Sequence, residues 1–239
     1  MDSTLSYLAL NRQIGLAREL DVIANNVANL ATTGYRREGL VFAEFVRAAA
    51  PGDSISMADL AARFVAERPG EITLTGNPLD LAIEGPGFFT VRAGGEVLLT
   101  RAGNFQRSPE GLLVTADGAP VLDEAGGEIF LPSDAGAVTV ARDGTISAGG
   151  APLARLGLVT AAPEALERVG AASFRPREAP VPVENPRILH GALEGSNVDP
   201  LAEIARLIAV TRAYERTRLV GDEADRRVRD VIDRLARPA

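Results

Sequence analysis

The sequence lacks the residues on which most enzyme and metal chemistry depends. Its 239 residues include no cysteine and no lysine, and His190 is the single histidine. The absence of cysteine excludes a disulfide framework, a zinc ribbon and a thiol nucleophile. The absence of lysine excludes a Schiff base and the lysine of a phosphate-binding loop. We therefore expect no catalytic residue, no metal and no cofactor, and we expect that the protein is not an enzyme.

Charge and hydropathy exclude further classes of function. The chain carries 32 acidic and 25 basic residues, and its net charge of -7 disfavours a nucleic-acid-binding surface. No segment approaches the roughly 20 apolar residues that a membrane-spanning helix needs, so membrane insertion is not expected. The chain starts with Met1-Asp2-Ser3 rather than a basic region followed by an apolar core. We therefore expect no cleaved secretory signal peptide.

Two apolar stripes predict a helix over residues 5–30, because apolar side chains recur there at three- and four-residue spacing. One stripe consists of Tyr7, Leu10, Ile14, Ala17, Ala24 and Ala28, and is interrupted by Asp21. The other stripe consists of Leu16, Leu20, Ile23, Val27 and Leu30. A helix with two apolar faces needs neighbours on two sides. A helix buried inside one globular domain is the alternative interpretation.

Asparagines and a Thr-Thr-Gly run mark the end of this helix. Asparagine is unfavourable inside a helix because its amide competes for nearby backbone groups. Gly34 can adopt the left-handed conformation of a helix C-cap, so we expect a positive φ there. The motif residues that we select within residues 24–35 are Asn25, Asn26, Ala28, Asn29, Thr33, Gly34 and Tyr35.

The middle of the chain is predicted to be a β module. Residues 35–51 should begin extended, and residues 57–68 show a short helical pattern within a linker. From Glu71, apolar and polar residues alternate with the period of half-buried strands. Glycine-rich turns separate short strands up to about residue 160, which is typical of an all-β module. Four prolines within residues 174–186 predict an extended connector.

A heptad pattern predicts a long C-terminal helix over residues 200–235. Asp199 is expected to be its N-cap, and Pro200 fits the first helical position. Three- and four-residue spacing, the period of a coiled coil, continues without a break. It joins Leu207, Val210, Tyr214, Thr217, Gly221, Ala224, Val228, Val231 and Leu235.

These patterns predict an α+β fold, in which long N- and C-terminal helices pair as a coiled-coil-like terminal domain and an all-β domain is inserted between them. We divide the chain into an N-terminal helix and linker (1–70), a β-rich domain with a proline-rich return connector (71–186), and a C-terminal helical segment that packs with the first helix (187–239). The predicted assembly residues are Leu16, Leu20, Ile23, Val27, Leu207, Val210, Tyr214, Val228, Val231 and Leu235.

Few side chains are available for catalysis. His190 follows the proline-rich connector, and no nucleophile-elbow pattern lies near it. No calcium-binding loop of the EF-hand type is present. Two carboxylates among Glu84, Glu96 and Asp117 could act as in a glycosidase that opens peptidoglycan. Solvated acids at strand edges are far more common, and we favour that interpretation.

The run 24–35 and five later strings, in a fixed order, resemble the flagellar axial family, the bacterial rod and hook proteins. The run 24–35 resembles the end of that family's N-terminal helix, and 76–89 resembles the start of its β domain. Residues 100–105 and 111–118 are similar to the strings that follow in that domain. Residues 193–198 resemble the start of the family's C-terminal helix, and 212–215 resemble its middle.

The resemblance implies a structural subunit of the flagellar basal-body rod, most similar to the single-β-domain proximal-rod protein. It implies that the terminal helices polymerise into an inner tube with the β module outside, and that this drive shaft transmits torque from motor to hook. The implied partners are copies of the chain, other rod proteins and the flagellar export apparatus. The implied location is the rod, which spans the periplasm, after export without cleavage. A distal-rod or hook subunit, a peptidoglycan-cleaving enzyme and a secreted adhesin are the alternatives.

Overall fold

The structure, a computed structural model, describes residues 2–50, 53–132 and 136–235. Side chains are described for residues 9–41, 62–132 and 136–223, and for 226, 227 and 229. The chain divides into two compact units. The helical unit consists of Met1–Ala28, Glu38–Phe64 and Asp199–Ala239, and the β unit consists of Asn29–Arg37 and Val65–Val198. The fold is α+β, as predicted, and the predicted three-part division stays a prediction.

Two long helices, α1 (Asp2–Ala28) and α2 (Pro200–Leu235), form much of the helical unit. Both were predicted from their periodicity. Asp199 is the N-cap of α2, because its Oδ1 accepts hydrogen bonds from the N–H groups of Leu201 (2.9 Å) and Ala202 (3.2 Å). The helices contact each other, and Arg206 Nη2 of α2 lies 2.7 Å from Glu19 Oε1 of α1. No helix in the part of the chain that the structure describes is long and apolar enough to cross a membrane.

A two-stranded sheet of β1 (Glu38–Ala50) and β2 (Asp53–Val65) follows the first helix. The extended start predicted for residues 35–51 is confirmed. The linker predicted for residues 57–68, where the sequence has a short helical pattern, is wrong for most of that stretch, because β2 extends to Val65. The sequence of β2 contains several alanines and has only a weak local preference for helix. Hydrogen bonding to β1 outweighs that preference and keeps the segment in a strand conformation.

In the described residues of the β unit, which exclude 133–135, there are fifteen short strands and one 3-10 turn, Pro163–Ala165. The strands are β3 (Ile72–Leu74), β4 (Leu81–Ile83), β5 (Phe88–Ala93), β6 (Glu96–Thr100), β7 (Gln106–Arg107), β8 (Leu113–Val114), β9 (Val138–Val140), β10 (Thr145–Ala148), β11 (Ala151–Arg155), β12 (Leu158–Thr160), β13 (Leu166–Arg168), β14 (Ser173–Pro176), β15 (Val181–Pro182), β16 (Ile188–His190) and β17 (Ala192–Glu194).

Antiparallel pairing organises these strands around one six-stranded sheet. Its order is β13-β14-β6-β5-β12-β15, and in its centre Thr90 of β5 is paired with Leu99 of β6. A three-stranded sheet has the order β11-β10-β9, and the pairs β16-β4, β17-β3 and β7-β8 complete the unit. The proline-rich stretch therefore includes an edge strand, β15, where a missing N–H donor is tolerated.

Two apolar clusters form the core of the β unit. The larger includes Phe89, which packs edge-to-face on Phe105 with ring centroids 5.0 Å apart. The smaller consists of Val65, Leu99 and Phe174. Because β16 and β17 pair back with β4 and β3, the β unit continues beyond the predicted connector to Val198. This return brings Glu194 close to residues much earlier in the chain.

Candidate assembly site

The turn after α1 is built around Gly34. Its φ is +67°, which confirms the expected positive value. The predicted role as a helix C-cap is wrong, since α1 already ends at Ala28. The glycine is instead required by a close approach, because a Cβ at Gly34 would lie 2.3 Å from Ala102 N and 2.3 Å from Arg101 C. The Gly34 N–H also donates to Glu194 O at 2.7 Å.

Asn26 is fully buried and explains why an asparagine lies near the end of the helix. Its Nδ2 donates to Glu38 O at 2.9 Å, and Glu38 N donates to Asn26 Oδ1 at 2.9 Å. The side-chain amide thus pairs with the first residue of β1 as a neighbouring strand would. Asn25 and Ala28 lie on exposed positions. Asn29 Oδ1 accepts a hydrogen bond from the Thr32 hydroxyl at 3.0 Å.

Tyr35, the last motif residue, is buried in the β unit beside a stacked arginine. The guanidinium carbon of Arg168 lies 4.5 Å from the Tyr35 ring centroid and 4.7 Å from that of Phe174. Arg168 also donates hydrogen bonds to the carbonyl oxygens of Arg36 and Ala171. A cation held between two aromatic faces fixes the position of Tyr35.

A buried cluster of Arg36, Arg101 and Glu194, which we name the clasp, lies next to this turn. Arg36 Nη2 lies 2.7 Å from Glu194 Oε1, and Arg101 Nε lies 3.5 Å from Glu194 Oε2. The side chains are only 3%, 4% and 1% exposed, respectively. One carboxylate therefore pairs with two guanidinium groups away from water.

Backbone groups around the clasp satisfy most of its remaining hydrogen-bonding capacity. Arg36 Nη1 donates to Glu67 O at 2.8 Å, and Arg101 Nη2 donates to Gly85 O at 2.5 Å. Gly70 N donates to Glu194 Oε1 at 3.0 Å. These bonds join four stretches of the β unit that are distant in sequence.

Asn197 closes the same region from its other side. Arg37 N donates to Asn197 Oδ1 at 2.6 Å, and Asn197 Nδ2 donates to Arg68 O at 2.6 Å. The side-chain amide of Asn197 thus bridges the segment that follows the 24–35 run and the segment that follows β2. Its position is fixed by the return of the chain through β17.

Burial determines the electrostatics of the clasp. Removal from water lowers the pKa of Arg36, and the attraction of Glu194 opposes this change. Removal from water likewise lowers the pKa of Arg101 to about 10, with Glu194 opposing and Arg36 adding to the decrease. Both guanidinium groups stay cationic at neutral pH. Loss of Glu194 would leave two buried cations without a carboxylate, which is a large destabilisation.

The predicted assembly residues of α1 and α2 lie partly on the faces by which the helices contact each other. Ile23 and Val210 are buried. Leu16, Leu20, Val27, Leu207 and Tyr214 are half-buried. The side chains of Val228, Val231 and Leu235 lie outside the described residues.

A second set of apolar side chains on the same helices is exposed. On α2, Leu201 is 79% exposed and Ile204 is 46% exposed, and on α1, Leu10 and Ile14 are also exposed. The helical period places Leu201 and Ile204 on the side of α2 opposite Val210. Each helix therefore has one apolar face turned towards the other helix and one turned to solvent.

The candidate catalytic residues are dispersed. His190, Glu84 and Asp117 are exposed. Glu96 forms an exposed ion pair with Arg175, with Oε2 and Nη2 2.7 Å apart. Across the described part of the chain, no group of three or more histidine, cysteine, aspartate or glutamate side chains has a geometry that could hold a metal ion.

Comparison with known protein families gives three matches along the chain. Residues 7–36 match the model described as flagella basal body rod protein, and residues 82–148 match the flagellar hook protein FlgE/F/G D1 domain. Residues 189–217 match the C-terminal segment of the flagellar basal body rod FlgEFG protein. The order agrees with that of the strings identified in the sequence.

Three known relatives match between 86% and 99% of the chain. The flagellar basal-body rod protein FlgF of Caulobacter vibrioides is 40% identical, over 99% of this chain and 99% of its own length. The chain belongs to the flagellar basal-body rod protein family. FlgF of Mesorhizobium japonicum is 35% identical, over 88% of this chain and 89% of its own. FlgG of Agrobacterium fabrum is also 35% identical, over 86% of this chain and 89% of its own.

The clasp connects the three segments that match the family models. Arg36 lies in the first matched segment, Arg101 in the second and Glu194 in the third. Arg36, Arg101 and Glu194 are not among the site residues predicted from the sequence, and neither are Asn197 and Arg168. The available signal was a charged residue within strings otherwise rich in glycine and apolar residues, namely 100–105 and 193–198.

Proposed function

We propose that the protein is a structural subunit of the flagellar basal-body rod that acts by polymerising through α1 and α2. Relatives named as rod proteins, which match 99% and 88% of the chain, support this role. In this proposal the helices pair as a coiled coil and associate with those of neighbouring copies and of other rod proteins. The product is the drive shaft that transmits torque from motor to hook.

The observation that carries the proposal is the exposed apolar face of each helix. Leu201, Ile204, Ile208 and Leu219 recur along one side of α2 and all are exposed. Leu10 and Ile14 are exposed on α1. Large exposed apolar patches mark interaction sites, whereas single exposed apolar residues are normal. Helical association in a rod would remove these side chains from water.

The domain boundaries, the location and the absence of catalysis are proposed from the sequence. The proposed division is an N-terminal helix and linker (1–70), an inserted β-rich domain with a proline-rich return connector (71–186), and a C-terminal helical segment that packs with the first helix (187–239). The location is the rod, reached through the flagellar export apparatus without cleavage of a signal peptide. The protein acts without catalysis and without membrane insertion or nucleic acid. A zymogram on the purified protein tests the enzymatic alternative, since cleared peptidoglycan would support that alternative and contradict the proposed structural role.

The position along the rod is proposed to be proximal. The resemblance of the sequence to the single-β-domain proximal-rod protein supports this placement. A distal-rod subunit of the same family is the second candidate. Gold labelling of a tagged chain in purified basal bodies separates the two, because the proximal proposal requires label at the motor end.

Charge introduced on the exposed face of α2 tests polymerisation. Ile204→Asp would place a carboxylate where the assembled rod needs apolar contact, and burying an unpaired charge is costly. Ala209→Asp is the matched control, since Ala209 is exposed on a neighbouring side of the same helix. In a strain that lacks the native chain, we expect Ile204→Asp to abolish swimming and incorporation into rods, and Ala209→Asp to retain both. Normal rods containing the Ile204→Asp chain would contradict the proposal.

A further inference from the structure

A cavity of about 390 Å³ opens in the β unit beside the clasp. Its wall is largely apolar and includes Val65, Pro86, Phe88 and Leu166. Its polar lining includes the clasp residues Arg36 and Arg101. A volume of this size and a mostly apolar wall with a few convergent polar groups are typical of ligand-binding cavities.

The clasp contains more positive than negative charges. Two guanidinium groups face one carboxylate, Glu194, so the buried cluster carries an excess of one positive charge. Arg36 Nε makes no hydrogen bond in the part of the chain that the structure describes. A buried cation with spare donor capacity at the wall of a cavity favours an anionic ligand.

We propose that this cavity binds a carboxylate on an apolar carrier, and that the carrier is an aspartate or glutamate side chain presented by a neighbouring protein chain in the rod. The second half of the proposal rests on the proposed function. A carboxylate supplies one negative charge, which equals the excess on the clasp. Phosphate would supply more charge and would need several free donor atoms, whereas each of the four Nη atoms of the clasp already has an acceptor, namely Glu194 or the carbonyl oxygen of Glu67, Ile83 or Gly85.

The neighbouring side chain would lie in an environment suited to a peptide. The apolar wall accommodates the methylene groups of the acidic residue and the apolar residues beside it. Glu67 also lines the cavity, but its exposed carboxylate belongs to none of the described ion pairs. Its negative charge should weaken binding of a second carboxylate through like-charge repulsion.

Titration of the full-length chain tests the carboxylate site directly. The probe is isovalerate, the control ligand is the neutral isovaleramide, and the readout is the shift of backbone amide resonances at Gly87 and Ala161. We expect saturable binding of isovalerate and binding about tenfold weaker or more for the amide, because a charge-assisted hydrogen bond is lost. Equal affinity for the two ligands, tighter binding of inorganic phosphate, or no shift with isovalerate would each overturn the proposal.

Variants separate specific binding from general effects without altering the clasp. Glu67→Gln should bind isovalerate several-fold more tightly, because it removes the competing charge. Ala161→Leu should abolish binding by filling the cavity, whereas Ala179→Leu, at an exposed position outside it, should not. Unchanged binding by Ala161→Leu would place the ligand elsewhere and overturn the proposal. Folding of each variant is checked by circular dichroism.

A single introduced cysteine tests the source of the carboxylate, because the native chain has none. Ala161→Cys should react with a maleimide in the free chain and be protected in purified rods. A benzophenone maleimide attached there before assembly should trap a neighbouring peptide that contains Asp or Glu. A reactive cysteine within rods, or a trapped peptide without an acidic residue, would overturn the neighbouring-chain source. Absence of the chain from rods would instead overturn the proposed function, while the titration judges the carboxylate site independently.

Discussion

Gly34→Ala should destabilise the β unit through a backbone collision that a matched glycine lacks. Gly34 has φ +67° and Gly76 has φ +75°, so alanine meets a similar left-handed strain at both positions, roughly 1–2 kcal/mol. A Cβ at Gly76 meets nothing within 4 Å, whereas at Gly34 it would lie 2.3 Å from Ala102 N. Carbon atoms in favourable contact lie about 3.5–4.0 Å apart, so the backbone must move.

The backbone that a Cβ at Gly34 would meet is held in place by hydrogen bonds. This restraint determines how much free energy the Gly34→Ala substitution costs. Ala102 N donates to Thr100 Oγ1 at 3.0 Å, and Gly34 N donates to Glu194 O at 2.7 Å. Overpacking of a fixed site costs about 1–3 kcal/mol. Reduced entropy of the unfolded chain returns about 0.4–1 kcal/mol at either glycine. We therefore expect about 1 kcal/mol of destabilisation for Gly76→Ala and about 2–4 kcal/mol for Gly34→Ala.

Urea-induced unfolding followed by circular dichroism measures both values. The difference between the two variants isolates the collision, because the conformational strain is shared. Equal destabilisation would refute the close approach at Gly34. Gly34→Val, whose β-branched side chain is larger, should in addition reduce motility, and full motility with normal rods would contradict a role for this turn in assembly.

Three further predictions concern the clasp, the helix pair and the free subunit. Glu194→Gln should destabilise the β unit by about 3 kcal/mol or more, since it leaves two buried cations unpaired. The control is Glu96→Gln in the exposed pair with Arg175, which should have no measurable effect on stability. Equal urea midpoints for the two variants would contradict the prediction. A double-mutant cycle of Glu19→Gln and Arg206→Gln should give a coupling of about 0.5–1 kcal/mol, and zero coupling would mean that the part-buried pair does not hold α1 to α2. In the dilute monomer, amide hydrogen exchange should be faster across α1 and α2 than across β5 and β6, because one apolar face of each helix is exposed to solvent. Slow exchange across both helices would contradict folding coupled to assembly.

Local sequence patterns were sufficient to predict both helices and the β-rich character of the middle of the chain. The period of apolar residues predicted both helices, and Asp199 followed by Pro200 predicted the start of α2. Turn-rich alternation predicted the β unit. The hairpin partner β2 was missed because its sequence has no strong preference, and its strand conformation depends on pairing with β1.

The clasp could not be predicted because it is a tertiary feature. Arg36, Arg101 and Glu194 lie far apart in sequence, and no pattern of spacing relates them. They meet because β17 pairs with β3 and the turn at Gly34 packs against Arg101 and Ala102. The role of Gly34 was misassigned for the same reason, since its positive φ was readable from the motif but the backbone that it approaches was not.

Electron cryomicroscopy of purified basal bodies tests the central claim most directly. Basal bodies would be isolated from cells in which a tagged copy replaces the native chain. The account predicts that the chain occupies the rod, with α1 and α2 in a packed tube and the side chains of Leu201, Ile204 and Ile208 in contact with neighbouring subunits. A complete rod without the chain, or a chain whose exposed helix faces remain in solvent, would contradict it.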